Sequence, residues 1–384
     1  MKENLPNSYK NQDLSIQVDN KPKWNLPKYR RHGFRNLHKI NKYGMFLRSQ
    51  NILDLEKNYI NNINNFPSVM KMINHKSFCS LVVVRGQEIL FERYADDFSE
   101  NQPHTIMSIT KMFMNLFVGK LFKHNKIDLD KTVSYYLPKI GSGYADASIQ
   151  NVLNMNVQNL YSEDYKDPYA SSYLHEEAIG WRLAKGGNEG TQEEFLYSIE
   201  CDVSDGVINN TNEAQYKSAN TDVLGLLVEK ISGRPLRQWL LETVEAAGFE
   251  EGLYMGTDKI GMPWMSSGGS LIARDLARFG LLFFRKGKGV NQNNVGSSEF
   301  INLTIKNPGP PRSKPEDFIL YSNQTMISGN WIGHAGYGGQ FLLINMVTGI
   351  VAAFFSVLET PSATDEDYKI NMIRMLEEVT SLEN

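Results

Sequence analysis

The sequence predicts an α/β plus α fold: an antiparallel β-sheet flanked by helices, with a mainly helical second lobe. Three observations carry that prediction. Two β-rich segments, Phe78 to Val84 and Glu88 to Tyr94, are separated only by Arg85-Gly86-Gln87 and read as a hairpin. Three more strand-like segments, Trp331 to Ala335, Gln340 to Asn345 and Ile350 to Ser356, crowd the end of the chain. Between these two groups the periodicity is helical, so strands distant in sequence must share one sheet. The expected boundaries are an N-terminal arm over 1–74, a sheet lobe built from 75–119 and 261–384, and a helical lobe over 120–260, with a cleft between the lobes.

Residues 1 to about 50 are polar, with Pro6, Pro22 and Pro27 and a basic group of Lys28, Arg30, Arg31 and Arg35. They read as an arm that is partly disordered or laid over the body, its basic group in solvent. After the hairpin, Pro103-His104-Thr105-Ile106-Met107-Ser108-Ile109-Thr110-Lys111 runs into Met112, Phe113, Leu116, Phe117, Leu121 and Phe122. Steps of three and four residues between apolar positions predict an amphipathic helix from Ser108 to about Lys123 with one buried stripe. A short helix follows over Asp146 to Met155. A loop dense in tyrosine and acid, from Tyr161 through Glu163, Asp164, Tyr165 and Asp167 to Tyr173, is interrupted by Pro168.

Gly233 and Pro235 end a helix that starts near Thr221, and a second helix runs from Pro235 to about Ala247. Ser266-Ser267-Gly268-Gly269-Ser270 is a small-residue turn feeding a helix from Ala273 to Phe284. Lys286 to Asn291 reads as an exposed loop, Asn307 to Pro311 as a rigid one, and a last helix spans about Thr364 to Glu378.

Composition narrows the function. The chain has 384 residues, 41% apolar and 22% charged, which suffices for one large domain or two lobes. A net charge of -3 with scattered lysines and arginines gives no field for nucleic acid. Cys79 and Cys201 are too few for a disulfide framework and read as structural thiols. No apolar export segment follows Met1, and Arg30-Arg31 is followed by His32 and Gly33 rather than an apolar run. The longest apolar stretches fall short of a membrane span, so a soluble, cytoplasmic protein is expected. The seven histidines, His32, His38, His75, His104, His124, His175 and His334, show no paired ligand spacing. Neither a metal nor another cofactor is expected.

Ser108, at a helix start, would meet unpaired backbone N–H groups and the positive end of the helix dipole. Lys111, three residues on, shares its face, which places a potential base beside a potential nucleophile. A helix N-cap with a solvated lysine is the alternative, and Ser68-Val69-Met70-Lys71 has the same spacing, so the tetrapeptide alone does not decide.

The order of elements does more. An early hairpin, a Ser-x-x-Lys helix, Tyr216-Lys217-Ser218-Ala219-Asn220-Thr221-Asp222 before a helix, a Gly-Gly turn and late strands together resemble the serine β-lactamase and penicillin-binding superfamily. Within it the chain resembles the class C β-lactamase-like esterases and amidases, most closely the 6-aminohexanoate-dimer hydrolase type, over about residues 75 to 360. That resemblance implies Ser108 as nucleophile, Lys111 as its base partner and Tyr216 as the second proton-transfer group. His334-Ala335-Gly336 stands where many relatives have Lys-Thr-Gly, and the backbone N–H groups of Ser108 and Tyr337 would form the oxyanion hole. Tyr165, Ser218, Ser267, His334, Gly336 and Tyr337 fall where relatives bind substrate.

Two departures narrow the substrate. His334 replaces a lysine that would hold a substrate carboxylate, and Ser218 replaces the asparagine of a Tyr-x-Asn motif, with Asn220 two residues further on. β-Lactam and D,D-peptide substrates are disfavoured. The expectation is a serine hydrolase acting through an acyl-enzyme on a small amide or ester, with no nucleic acid or membrane partner and with a homodimer as an assembly to test. An acyltransferase and a non-catalytic binding protein on the same fold are the alternatives.

Overall fold

Alternating apolar side chains turn the two ends of the chain into one sheet. The computed structural model describes residues 21–165, 167–184, 190–202, 206–290 and 292–382. The first 20 residues of the expected arm and Asn291 of the expected loop lie outside them. Eight strands line up in the order Glu56–Lys57, Glu88–Tyr94, Phe78–Arg85, Ile350–Ser356, Gln340–Asn345, Trp331–Gly336, Thr325–Ser328, Leu320–Ser322. Every neighbouring pair is antiparallel except the edge pair Glu56–Lys57 with Glu88–Tyr94, which is parallel. The hairpin closes with Arg85 opposite Glu88, and Gly86 at φ 60 makes that tight connection possible.

Both faces of the sheet are covered. Val82, Val84, Leu342, Ile344, Val351, Ala353 and Phe355 belong to one core, and Leu81, Val83, Phe341, Leu343, Ala352 and Phe354 to the other. This is period-two alternation in which neither face is polar, as expected of central strands sandwiched between helices. Helix Ala273–Phe284 lies on the first face, so close that a Cβ on Gly280 would come within 2.5 Å of Val351 Cγ1. Helices Pro67–Ile73 and Glu366–Thr380 cover the second. A separate four-stranded sheet pairs Gly44–Leu47, Leu253–Gly256, Gly269–Leu271 and His104–Thr105.

Several expectations are corrected. The single helix from Ser108 is a 3-10 turn, Met107–Lys111, followed by an α-helix, Met112–Lys123. That helix is buried nearly all round, Met114, Asn115, Val118 and Gly119 included, because the helices Ser218–Ser232 and Ser298–Lys306 and the Ser108 turn close in on it. Helix Ser298–Lys306 and strands Leu320–Ser322 and Thr325–Ser328 were not anticipated, although Ser297 caps the helix by accepting from Phe300 N–H at 3.2 Å. Of the arm's basic group only Lys28 is exposed, and the three arginines are drawn in against the body. Arg30 is 1% exposed and donates to the carbonyls of Leu358 (2.7 Å), Thr360 (2.6 Å) and Asn25 (2.8 Å), while Arg31 pairs with Asp97 at 2.7 Å. Carbonyls of the loop 357–361 and of Asn25 recruit a guanidinium that composition alone would put in water.

Candidate active site

Ser108 owes its position to a turn held on three sides. Ile106 N–H donates to Gly269 O (2.9 Å), Gly269 N–H to Thr110 Oγ1 (3.2 Å), and Thr110 Oγ1 to Met107 O (2.7 Å). Met107 is left at φ 45, a left-handed conformation uncommon for a side chain of its size. Such strain persists only where surrounding contacts impose it, and here it immediately precedes the candidate nucleophile. Ser108 keeps 9% of its surface exposed, toward a cavity of about 870 Å³ that it helps to line.

Lys111 is wholly buried, which rules out the solvated-lysine reading. Its Nζ lies 3.1 Å from Ser108 Oγ, 3.1 Å from Ser218 Oγ and 2.8 Å from Ser266 O. The competing Ser68 and Lys71 sit on the outer helix Pro67–Ile73, with Lys71 exposed and Ser68 bonded to Glu378. Tyr216 reaches the site through its ring, whose centroid is 5.0 Å from Lys111 Nζ. Its hydroxyl bonds to neither Ser108 nor Lys111 among the described residues, and the ring packs against Tyr321 at 5.9 Å.

Tyr165, Ser218, Ser267, Gly336 and Tyr337 all line the same cavity. Tyr165 is at the rim, 42% exposed, its ring 5.4 Å from that of Tyr337 and its hydroxyl donating to Glu163 Oε1 at 2.9 Å. Gly336 is required by close approach, since a Cβ there would meet Gln340 Oε1 at 2.6 Å and Ile106 O at 2.8 Å. A side chain would push the strand off the Ser108 turn.

His334 departs from the expectation that it contacts substrate. It is fully buried, and it is not among the residues lining the cavity. A carbonyl can only accept, so the 2.7 Å contact with Ala335 O puts the proton on Nδ1, leaving Nε2 to accept from the Tyr321 hydroxyl at 3.1 Å. Burial holds its pKa well below that of a free histidine. Asn220 is likewise internal, its Oδ1 accepting from the Tyr144 hydroxyl at 2.7 Å.

The cavity also uses residues that motif reading passed over. Glu163 accepts from Ser218 N–H at 2.7 Å through Oε2 and from Ser218 Oγ at 2.9 Å through Oε1. Asp222 is buried, takes Ser266 N–H on Oδ1 at 3.0 Å and places Oδ2 3.5 Å from His175 Nε2. Burial pushes its carboxyl up to about 7 and the His175 imidazole down to about 3. Desolvation also lowers Lys217 to about 8, its Nζ donating to Tyr161 O at 2.7 Å. Trp24, from the arm, meets Trp181 at 5.1 Å between ring centroids, and Trp181 meets Trp264 at 3.8 Å, so the arm completes an aromatic wall. The tyrosine-acid density pointed to Glu163, and Lys217 and Asp222 lie within the Tyr216-to-Asp222 stretch without having been given a role. Among the described residues no group of His, Cys, Asp or Glu is arranged to hold a metal ion, and no helix is long and apolar enough to cross a membrane.

His104, behind the turn, gives a stability prediction. Its ring stacks 4.7 Å from Phe355, Nδ1 contacts Thr105 O at 2.7 Å, and burial pushes it from 6.5 to about 3. Between those values the unfolded chain binds a proton that the folded chain refuses, so this group costs stability as pH falls from 6.5 toward 3. His104→Phe should therefore flatten the dependence of unfolding free energy on pH between 6 and 4 by about 1.4 kcal/mol per unit, measured by urea denaturation. An unchanged slope would mean that His104 protonates in the folded state.

Comparison with known proteins agrees with this geometry. The Beta-lactamase family model matches residues 78–373. The 6-aminohexanoate-dimer hydrolase of Paenarthrobacter ureafaciens is 32% identical over 226 residues, covering 58% of this chain and 55% of that protein. The chain thus matches about half the length of that relative. A solved structure from Bacillus anthracis, a candidate 6-aminohexanoate-dimer hydrolase, superposes with a TM-score of 0.79 at 21% identity over 95% of this chain and 97% of that one. A penicillin binding protein from Bacillus halodurans gives 0.57 at 15% identity over 79% and 97%. Both structures establish the shared fold.

Proposed function

Because the chain belongs to the Beta-lactamase family, we propose that it is a serine hydrolase cleaving a small amide or ester through an acyl-enzyme on Ser108. The observation that carries this reading is the buried Lys111 Nζ 3.1 Å from Ser108 Oγ. Lys111 Nζ takes the hydroxyl proton as Oγ attacks the substrate carbonyl carbon. Backbone N–H groups of Ser108 and Tyr337 stabilise the tetrahedral oxyanion, commonly worth about 3 kcal/mol per donor. The Tyr216 hydroxyl swings into the relay as substrate fills the cavity, and the leaving amine or alcohol departs with the proton. Water then releases the acyl group and regenerates Ser108.

The named substrate of the Paenarthrobacter relative, a 6-aminohexanoate dimer, suggests a linear amide here. A neutral, buried His334 in place of a cationic residue leaves a β-lactam carboxylate without a partner on that strand. The test is intact mass after a fluorophosphonate, together with product analysis on p-nitrophenyl esters and on 6-aminohexanoate dimer. A single adduct and free acid product are expected. Transfer of the acyl group to added amines or alcohols in preference to water would favour an acyltransferase, and no adduct on folded protein would leave a binding protein.

A further inference from the structure

Hydrogen-bond direction around Lys111 is dictated from outside the Ser-x-x-Lys turn. Ser266 O can only accept, so one Lys111 N–H is committed to it at 2.8 Å. Ser218 Oγ could donate or accept, and Glu163 removes that freedom. Its two oxygens accept Ser218 N–H at 2.7 Å and Ser218 O–H at 2.9 Å, and Oε1 also receives the Tyr165 hydroxyl at 2.9 Å. With its own proton given to Glu163, Ser218 Oγ can meet Lys111 at 3.1 Å only as an acceptor. Two N–H bonds of Lys111 are then spoken for whenever it acts as base. The remaining direction, toward Ser108 Oγ at 3.1 Å, is left to the lone pair.

We propose that Glu163, acting through Ser218, is a positioning group that aims the Lys111 lone pair at Ser108. This rests on the serine hydrolase reading. An amide at position 163 cannot reproduce the effect, because it offers one acceptor where Ser218 presents two donors. Either the Ser218 N–H bond is lost or the Ser218 hydroxyl reverses, and a reversed hydroxyl would draw the lone pair away from Ser108.

Glu163 has a second role from which this one must be separated. Its bond to Ser218 N–H satisfies an end of the helix Ser218–Ser232, so losing the carboxylate also costs stability. Ser218→Ala keeps that backbone bond and removes only the hydroxyl. Lys217, Glu176, Tyr161 and Tyr165 face Glu163, and Asp222, His175, His334 and Tyr216 surround Lys111. All are unchanged in both variants.

The experiment measures kcat and KM on a p-nitrophenyl ester for the full-length wild type, Ser218→Ala, Glu163→Gln and the double variant, with melting temperatures. Adduct formation on wild-type Ser108 first establishes the hydrolase reading, and its absence would overturn both proposals. Each single variant is expected to lose about 10- to 100-fold in kcat/KM, the scale of a misaimed reacting group. The double variant should lose no more than the worse single, because both changes break one chain of bonds. Each loss should fall on kcat with KM within about twofold, since aiming the base acts on the chemical step. Ser218→Ala should melt with the wild type. Single variants within twofold of wild type, losses that multiply in the double, or a loss carried by KM alone would overturn the positioning role while leaving Ser108 as nucleophile.

Discussion

Replacing Ser108 with alanine is expected to abolish the fluorophosphonate adduct and to lower kcat/KM on esters by about 10⁴-fold or more, with the fold intact. The side chain that is lost makes one hydrogen bond, to Lys111, and fills little volume, so the melting temperature should barely move. What disappears is a hydroxyl that lines the cavity and lies 3.1 Å from the buried amine three residues on. Intact mass and steady-state rates on the same preparation decide it. An adduct surviving in Ser108→Ala would place the nucleophile elsewhere, with Ser218 the first residue to try, because it also lies 3.1 Å from Lys111.

Lys111→Met is expected to be nearly as severe, about 10³- to 10⁴-fold, for a different reason. Methionine keeps an unbranched, apolar side chain of similar length beside the Tyr216 ring, but it cannot accept the Ser108 proton. Stability should change little. Removing a buried amine relieves its desolvation, while Ser266 O loses a donor, an opposing cost of about 1–3 kcal/mol. The rate of fluorophosphonate labelling separates the base from the nucleophile, since it should collapse while Ser108 remains present. Labelling at the wild-type rate would remove Lys111 from proton transfer and transfer the role to another group.

Much of this site was readable before any coordinates. Ser108 and Lys111 are neighbours because they lie three residues apart on one helical turn, and that proximity follows from local geometry whatever surrounds it. The hairpin at Arg85 to Glu88 and the αL glycines Gly233 and Gly248 that end two helices are equally local. The helix Ser218–Ser232 was placed three residues late, and the cause is instructive. Its first turn is satisfied by the Glu163 carboxylate, 55 residues away, not by a cap of its own.

His334 and Arg30 show the other limit. Motif alignment put His334 beside substrate, yet one strand residue turned inward by the pleat is buried against Tyr321 and bound at both nitrogens. Arg30 looked like part of a solvated basic arm and became a buried donor to three carbonyls. Polar side chains carry no signal of which distant backbone groups will lack partners.

The sequence by itself determined the early hairpin and the three late strands of the sheet, the helices around Gly233 and after the Gly-Gly turn, the Ser108–Lys111 pair and the family resemblance. These depend on periodicity and on contacts within a few residues, which are properties of the local chain. Only the tertiary structure decided the distant partners of the Lys111 amine, the neutrality of His334, the raised Asp222 carboxyl and the wall that Trp24 completes. Each depends on desolvation or on a bond between segments far apart in the chain, and those arise only once the sheet brings its distant strands together.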